Sequence, residues 1–70
     1  MDIRISVGKR VRELRNFNGI SQEELANIAQ LDRTYITSVE RGKRNISIVN
    51  LEKLANALNV SLAEFFSFKE

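Results

Sequence analysis

Apolar residues recur every three or four positions along residues 3–66, and this spacing predicts helices, with no convincing two-residue alternation of the kind that strands show. The first helix, which stops before Gly19, has an apolar stripe of Ile3, Val7, Val11 and Leu14. The buried face of the second helix is predicted to be Leu25, Ile28 and Ala29. The fourth helix follows Ser47 and carries Ile48, Leu51, Leu54, Ala55 and Leu58. Together with a third helix and a short fifth one, the pattern predicts an all-α protein of five helices.

Four of the predicted helices begin after a serine or an aspartate, and the first and third end at a glycine. Ser21 and Ser61 each precede a glutamate by three residues. This spacing is typical of a capping box, in which each side chain bonds a backbone N–H of the other residue. Asp32 is an N-cap candidate for the third helix, and Gly42 is a typical stop for it.

A connection of only about three residues, 30–32, separates the second and third predicted helices. So short a connection forces two helices to cross sharply, which is the geometry of a helix-turn-helix unit. We therefore predict one compact five-helix domain over residues 1–70, with the helix-turn-helix at about residues 21–42.

Composition argues against several classes of protein. The chain has no cysteine and no histidine, which removes disulfides, thiolate metal sites and the commonest general base and metal ligand. No arrangement of the remaining carboxylates, lysines or serines suggests catalysis, and there is no glycine-rich phosphate loop. We therefore expect no enzymatic activity, no metal, no cofactor and no small-molecule ligand. The absence of an apolar run of ~20 residues and of a signal peptide predicts no membrane association and a cytoplasmic location.

Basic residues are concentrated in the first two-thirds of the chain. Residues 1–44 contain nine Lys and Arg against six Asp and Glu, whereas residues 45–70 contain two against three. This asymmetry suits a small domain with one nucleic-acid-binding face. The net charge of +2 is small, so ordinary surface charge explains the distribution equally well.

The third predicted helix, at about Asp32–Arg41, separates its polar and apolar residues onto two faces. At about 100° per residue, one arc of about 140° holds Arg33, Thr34, Thr37, Ser38 and Arg41, while Ile36 and Val39 lie opposite. An arginine can donate two hydrogen bonds to guanine, and a threonine can contact a thymine methyl or donate a hydrogen bond. This face favours a helix that recognises DNA, with a solvated amphipathic helix as the alternative.

The run SQEELANIAQLDRTYITSVERGKRNIS resembles the helix-turn-helix core of the XRE family, which includes the lambdoid phage repressors and Cro. The likeness extends over residues 7–66, and the spacing of Ser-Gln-Glu-Glu-Leu-Ala, Tyr-Ile-Thr and Glu-Arg-Gly is specific. The run LDRTYITSVERGKRNIS is also similar to the small controller proteins of restriction–modification systems, although related runs occur in many short XRE regulators. The resemblance implies a lambda-repressor-like fold and a transcriptional regulator that binds double-stranded DNA sequence-specifically.

The resemblance also implies roles for individual residues. Base contacts are expected from Arg33, Thr34, Thr37 and Ser38, and phosphate contacts from Gln22, Tyr35, Arg41, Lys43, Arg44 and Asn45, with a base edge as the alternative for Tyr35. Gln22 starts the second helix, where free N–H groups and the positive end of the helix dipole attract an anion. A pair between Arg15 and Glu40 is expected to tie the first helix to the third. Many family members have glycine where this chain has Gln30. If the backbone at Gln30 is left-handed, a residue other than glycine costs roughly 1–2 kcal/mol there.

One recognition helix contacts only a few base pairs, so we expect a homodimer that places two such helices about 34 Å apart on a pseudo-palindromic operator. Three phenylalanines crowd the C-terminus. Phe65 is expected in the core with Leu62 and Leu58, and the dimer interface is expected at Phe66 or Phe68, with Ile46 or Ile48. A monomer whose core all three phenylalanines cover is the alternative.

The most specific function predicted from these features is an autoregulatory controller of a restriction–modification operon, with RNA polymerase as a further candidate partner. A small phage-type repressor and a protein-interaction module, such as an antitoxin or adaptor subunit, are the alternatives. A steep loss of DNA affinity with rising salt would distinguish a regulator from an interaction module.

Overall fold

The computed structural model describes residues 2–68, most of which are helical. Helix α1 spans Ile3–Phe17, α2 spans Gln22–Ala29, α3 spans Arg33–Glu40, α4 spans Ile48–Ala57 and α5 spans Leu62–Phe65. No β-strand occurs among the described residues, so the prediction of an all-α fold with five helices is confirmed. None of the helices within residues 2–68 has the length and apolar content needed to cross a membrane.

Side-chain caps start the helices at the residues that the sequence indicated. Ser21 and Ser61 each accept a hydrogen bond from the backbone N–H of the glutamate three residues later, and each glutamate carboxylate accepts one from the serine N–H. Asp32 caps α3 by accepting from the Thr34 N–H at 2.9 Å. These bonds satisfy N–H groups that the first turn of a helix leaves without intrahelical partners.

The hydrophobic core draws residues from all five helices. Its buried members are Val7, Val11, Leu14, Leu25, Ala26, Ala29, Ile36, Val39, Leu54, Ala55, Leu58 and Phe65. Phe65 is fully buried, and Leu62 packs against the same cluster, as predicted. The core holds α3 by Ile36 and Val39, which leaves the opposite side of that helix facing outward.

Three residues of the predicted apolar stripes are exposed. Ile3, Ile28 and Ile48 have relative exposures of 55%, 57% and 74%, so the prediction that Ile28 belongs to the buried face of α2 is wrong. In α2 the buried face is rotated towards Ala26 and Ala29, whose small side chains let the helix pack closely against α3 and α4. Ile3 and Ile48 are the first residues of α1 and α4, where the periodic stripe runs past the packed part of the helix.

Helix α1 packs against the C-terminal end of α3 at Gly8. A Cβ atom at this position would collide with the backbone carbonyl oxygen of Val39 and would lie 3.0 Å from that of Glu40. The missing side chain therefore allows the two helices to approach each other closely. This approach brings the arginines of α1 within reach of the Glu40 side chain.

Gln30 ends α2 in the left-handed conformation, with φ of 59° and ψ of 46°. We expect Gln30→Gly to raise the free energy of unfolding by up to about 1 kcal/mol, because relief of strain exceeds the entropy cost of glycine. Urea denaturation of both proteins measures the difference. Asn27→Gly, at an exposed interior position of the same helix, should instead lower stability by a few tenths of a kcal/mol, ~0.3. Equal losses in both variants would argue against strain at Gln30.

Candidate nucleic-acid interface

Helix α3 has one face in the core and one face towards solvent. Ile36 and Val39 are buried, and Tyr35 is half-buried against the core. The four candidate base-contacting residues lie on the other face, where Arg33 and Thr34 are exposed and Thr37 and Ser38 are half-buried. The fold thus brings these four side chains together on one surface of one helix.

Basic residues lie on this surface, at Arg33, and in the segment that directly follows α3. Every ion pair within residues 2–68 uses an arginine of α1, so Arg33, Arg41 and Lys43 are left without carboxylate partners there. The Arg44 guanidinium lies 4.9 Å from the centroid of the Tyr35 ring, within the range of a cation–π contact. Two candidate phosphate-contacting residues are therefore held against each other, and Asn45, a third, is exposed beside them.

The Glu40 carboxylate joins α1, α2 and α3. Its side chain is completely buried, and Arg15 donates from Nε to Oε2 at 2.7 Å and from Nη2 to Oε1 at 3.1 Å. The Gln22 amide nitrogen donates to Oε1 at 3.0 Å. The two residues that the resemblance pairs are thus in direct contact, and a glutamine from α2 completes the cluster.

Arg12 is a partner of Glu40 that sequence reasoning missed. Its Nε lies 3.4 Å from Oε1 of Glu40, and its side chain is 56% exposed. Arg12 and Arg15 are three residues apart on α1 and therefore share a helix face. That spacing was the signal that could have assigned both arginines to the same carboxylate.

Gln22, the first residue of α2, uses its side chain within the protein. While its amide nitrogen bonds Glu40, its Oε1 accepts from Thr37 Oγ1 at 3.0 Å. Its backbone N–H lies at the start of the helix, where no intrahelical acceptor exists. The backbone N–H is therefore the group that suits the predicted phosphate contact best.

Burial alone would raise the pKa of the Glu40 carboxyl, but hydrogen bonds from Arg15 and Gln22 and the charge of Arg15 outweigh it and hold the pKa below its ordinary value of 4.5. A pKa that is lower in the folded state stabilises the protein above the unfolded value, and this contribution is lost as the pH falls through the folded-state pKa. We expect the stability difference between the wild type and Glu40→Gln to be constant near neutral pH and to shrink as the pH falls below about 5. Urea denaturation across this range measures it, and a difference independent of pH would contradict the assignment.

The candidate dimer residues differ in exposure. Phe66 and Ile48 are 44% and 74% exposed, whereas Phe68 and Ile46 are half-buried, and Ile46 packs against the core. The Phe66 ring lies edge-on to Phe65, with 5.2 Å between centroids, and 6.1 Å from Phe68. Phe66 also lines an apolar groove of about 260 Å³ with Ile46. Val49, exposed at 59% beside Ile48, was not identified from the sequence.

Comparison with known proteins defines the class to which this fold and this surface belong. A family model described as helix-turn-helix matches residues 11–65. The control protein C.MunI from a Mycoplasma species is 48% identical over 67 residues, which cover 94% of this chain and 90% of C.MunI. The chain therefore belongs to the helix-turn-helix family of XRE type, as the resemblance predicted.

Solved structures agree with this assignment. The restriction–modification controller protein C.AhdI from Aeromonas hydrophila matches with a TM-score of 0.89 and 48% identity, over 94% of this chain and 100% of C.AhdI. The controller protein C.Esp1396I, solved as a tetramer in complex with its natural 35-base-pair operator, matches with a TM-score of 0.88 and 38% identity, over 94% of this chain and 87% of that one.

Proposed function

We propose that this protein is a transcriptional regulator that binds DNA sequence-specifically, with α3 in the major groove of a pseudo-palindromic operator. The observation that carries the proposal is the exposed polar face of α3, with Arg33 at one end and Arg41 at the other and no carboxylate partner for either within residues 2–68. An α-helix fits the major groove, and arginine on guanine is the commonest specific contact there. The basic residues after α3 and the start of α2 provide the phosphate contacts that orient the helix.

The regulated genes are proposed to be those of a restriction–modification system, including the operon of this protein itself. This proposal is supported by similarity over nearly the whole chain to C.MunI and C.AhdI, which are control proteins. The complex of C.Esp1396I with its operator supports DNA as the ligand. A protein that controls transcription binds DNA near the site that RNA polymerase occupies, so we propose the polymerase as a second partner. We propose the cytoplasm as the location.

Binding to the DNA upstream of the gene tests this function. Fluorescence anisotropy should give a much higher affinity for that duplex than for a shuffled duplex of equal composition. The logarithm of the affinity should fall with the logarithm of the salt concentration by about 0.9 for each phosphate contact. Equal affinity for both duplexes would exclude sequence-specific regulation, and the absence of salt-dependent binding would favour a protein-interaction module.

The active species is proposed to be a homodimer with its interface at α4 and the segment around α5. This arrangement leaves α3 free for DNA, and two copies of α3 would then recognise two half-sites about one helical turn apart, roughly 34 Å. Exposed apolar residues on these elements, Ile48 and Phe66, support the placement because burial between two subunits would remove them from water.

Truncation of the C-terminal phenylalanines tests the dimer. We expect the Phe66→Ala, Phe68→Ala double variant to weaken dimerisation at least about tenfold, because buried aromatic anchors commonly dominate an interface. Sedimentation at micromolar concentration measures the change. Phe17→Ala is the matched control, since Phe17 is 87% exposed at the end of α1 and outside the proposed interface. A monomeric wild type on its operator would refute the dimer, and an unchanged double variant would refute this interface.

A further inference from the structure

Two hydroxyl groups on the exposed face of α3 give their protons to oxygen atoms of the protein. Thr34 Oγ1 lies 2.7 Å from Oδ1 of Asp32, and Ser38 Oγ lies 3.0 Å from the carbonyl oxygen of Thr34. Hydrogen bonds from the hydroxyl and the N–H of Thr34 also lower the pKa of the Asp32 carboxyl, so this group is a carboxylate at neutral pH. Neither a carboxylate nor a carbonyl has a proton to give, so the hydroxyl is the donor in both bonds.

The Thr37 hydroxyl is committed in the same way, through a longer chain of contacts. The Glu40 carboxylate can only accept, so the atom of the Gln22 side chain that faces it must be the amide nitrogen. This places the amide oxygen of Gln22 towards Thr37 Oγ1, at 3.0 Å. The other neighbour of this hydroxyl is the Arg33 carbonyl oxygen at 3.1 Å, also an acceptor. Whichever bond forms, the single proton of Thr37 is used within the protein.

We infer that Thr34, Thr37 and Ser38 act towards DNA only as hydrogen-bond acceptors and, for the two threonines, as methyl contacts. The donors available in the major groove are the amino groups of adenine N6 and cytosine N4, and the matching apolar group is the thymine methyl. The acceptors N7 and O6 of the purines are therefore left to the arginines. Asp32 becomes a positioning residue for base preference, because its carboxylate accepts the Thr34 proton. Glu40 contributes by turning the Gln22 amide oxygen towards the Thr37 hydroxyl.

This inference rests on the proposed function and is tested at Thr34, the most exposed of the three. A binding site is selected from randomised duplexes with the wild-type protein. Single bases in it are then replaced by analogues that lack one group: purine for adenine, 2-pyrimidinone for cytosine, 7-deazapurines, and uracil for thymine. Each duplex is measured with the wild type, with Thr34→Val, which lacks the hydroxyl, and with Thr34→Ser, which lacks the methyl.

At the base that Thr34 contacts, removal of the amino group should weaken binding of the wild type and of Thr34→Ser roughly three- to tenfold, the effect of one neutral hydrogen bond. The same removal should leave the binding of Thr34→Val unchanged. The 7-deaza replacements should cost the wild type and Thr34→Val equally. A 7-deaza effect that vanishes in Thr34→Val would mean that the hydroxyl donates to N7 and would overturn the inference. So would the absence of any amino group whose effect depends on the Thr34 hydroxyl.

Asp32→Ser separates base preference from helix capping. Serine keeps an N-cap oxygen for α3 but does not hold the Thr34 proton on a carboxylate. The amino-group effect at the Thr34 position should therefore shrink at least about twofold while the melting temperature stays near that of the wild type. A change in melting temperature with an unchanged amino-group effect would mean that Asp32 only caps the helix. Failure to enrich any duplex in the first selection would contradict the proposed function itself, whereas these outcomes concern only the inference.

Discussion

Replacing Glu40 by alanine is expected to lower the free energy of unfolding by about 3 kcal/mol, because it removes the acidic partner of a largely buried arginine. The Arg15 side chain is only 14% exposed, so water cannot replace the lost carboxylate at little cost. The Gln22 amide loses its acceptor in the same substitution. Thermal and urea denaturation followed by circular dichroism measure the loss.

Glu13→Ala is the matched control for this prediction. Glu13 also pairs with an arginine, Arg10, but its side chain is 64% exposed. Exposed ion pairs contribute little, so we expect Glu13→Ala to change stability by less than about 1 kcal/mol. Similar losses in Glu40→Ala and Glu13→Ala would mean that burial of the Glu40 cluster does not stabilise the fold.

Replacing Arg33 by alanine is expected to abolish the preference for one base pair of the operator, a loss of about 1–3 kcal/mol in discrimination. Arg33 is exposed in the first turn of α3, and its side chain makes no hydrogen bond or ion pair with residues 2–68. The substitution should therefore leave the free protein's fold intact. Anisotropy titrations of the operator and its single-base variants measure the discrimination.

Two further variants separate base recognition from general electrostatic attraction. Arg44→Ala should weaken binding to all sequences and reduce the salt slope by about 0.9, the effect of one phosphate contact. Arg33→Lys keeps the positive charge but lacks the two-pronged donor geometry, so it should lose discrimination while the salt slope stays unchanged. Equal, sequence-independent losses from Arg33→Ala and Arg44→Ala would refute base recognition by Arg33.

Much of the local structure followed from the amino-acid pattern because local interactions decide it. The capping boxes at Ser21 and Ser61 depend on residues three positions apart, which any helix start places together. The polar face of α3 depends only on helical periodicity, so the candidate base-contacting residues were predictable as a group. Ile28 was wrongly assigned to the buried face because its burial depends on tertiary packing. Periodicity shows which residues of a helix are apolar, but the neighbouring helices determine which of them are buried.

The sequence by itself determined the helices, their caps and the residues on the surface proposed to bind DNA, since these depend on interactions between residues a few positions apart in the chain. Only the tertiary structure decided how α1, α2 and α3 meet. The close approach at Gly8 depends on a backbone more than thirty positions away along the chain, and periodicity carries no information about it. The Glu40 cluster likewise joins three helices through Arg15 and Gln22, which fixes the orientation of the Gln22 amide and turns its oxygen towards the Thr37 hydroxyl. Hydrogen bonds between distant residues require a packed fold to bring donor and acceptor within about 3 Å. The Arg15–Glu40 pair was therefore expected only from the family resemblance, and the two bonds of the Gln22 side chain were not expected at all.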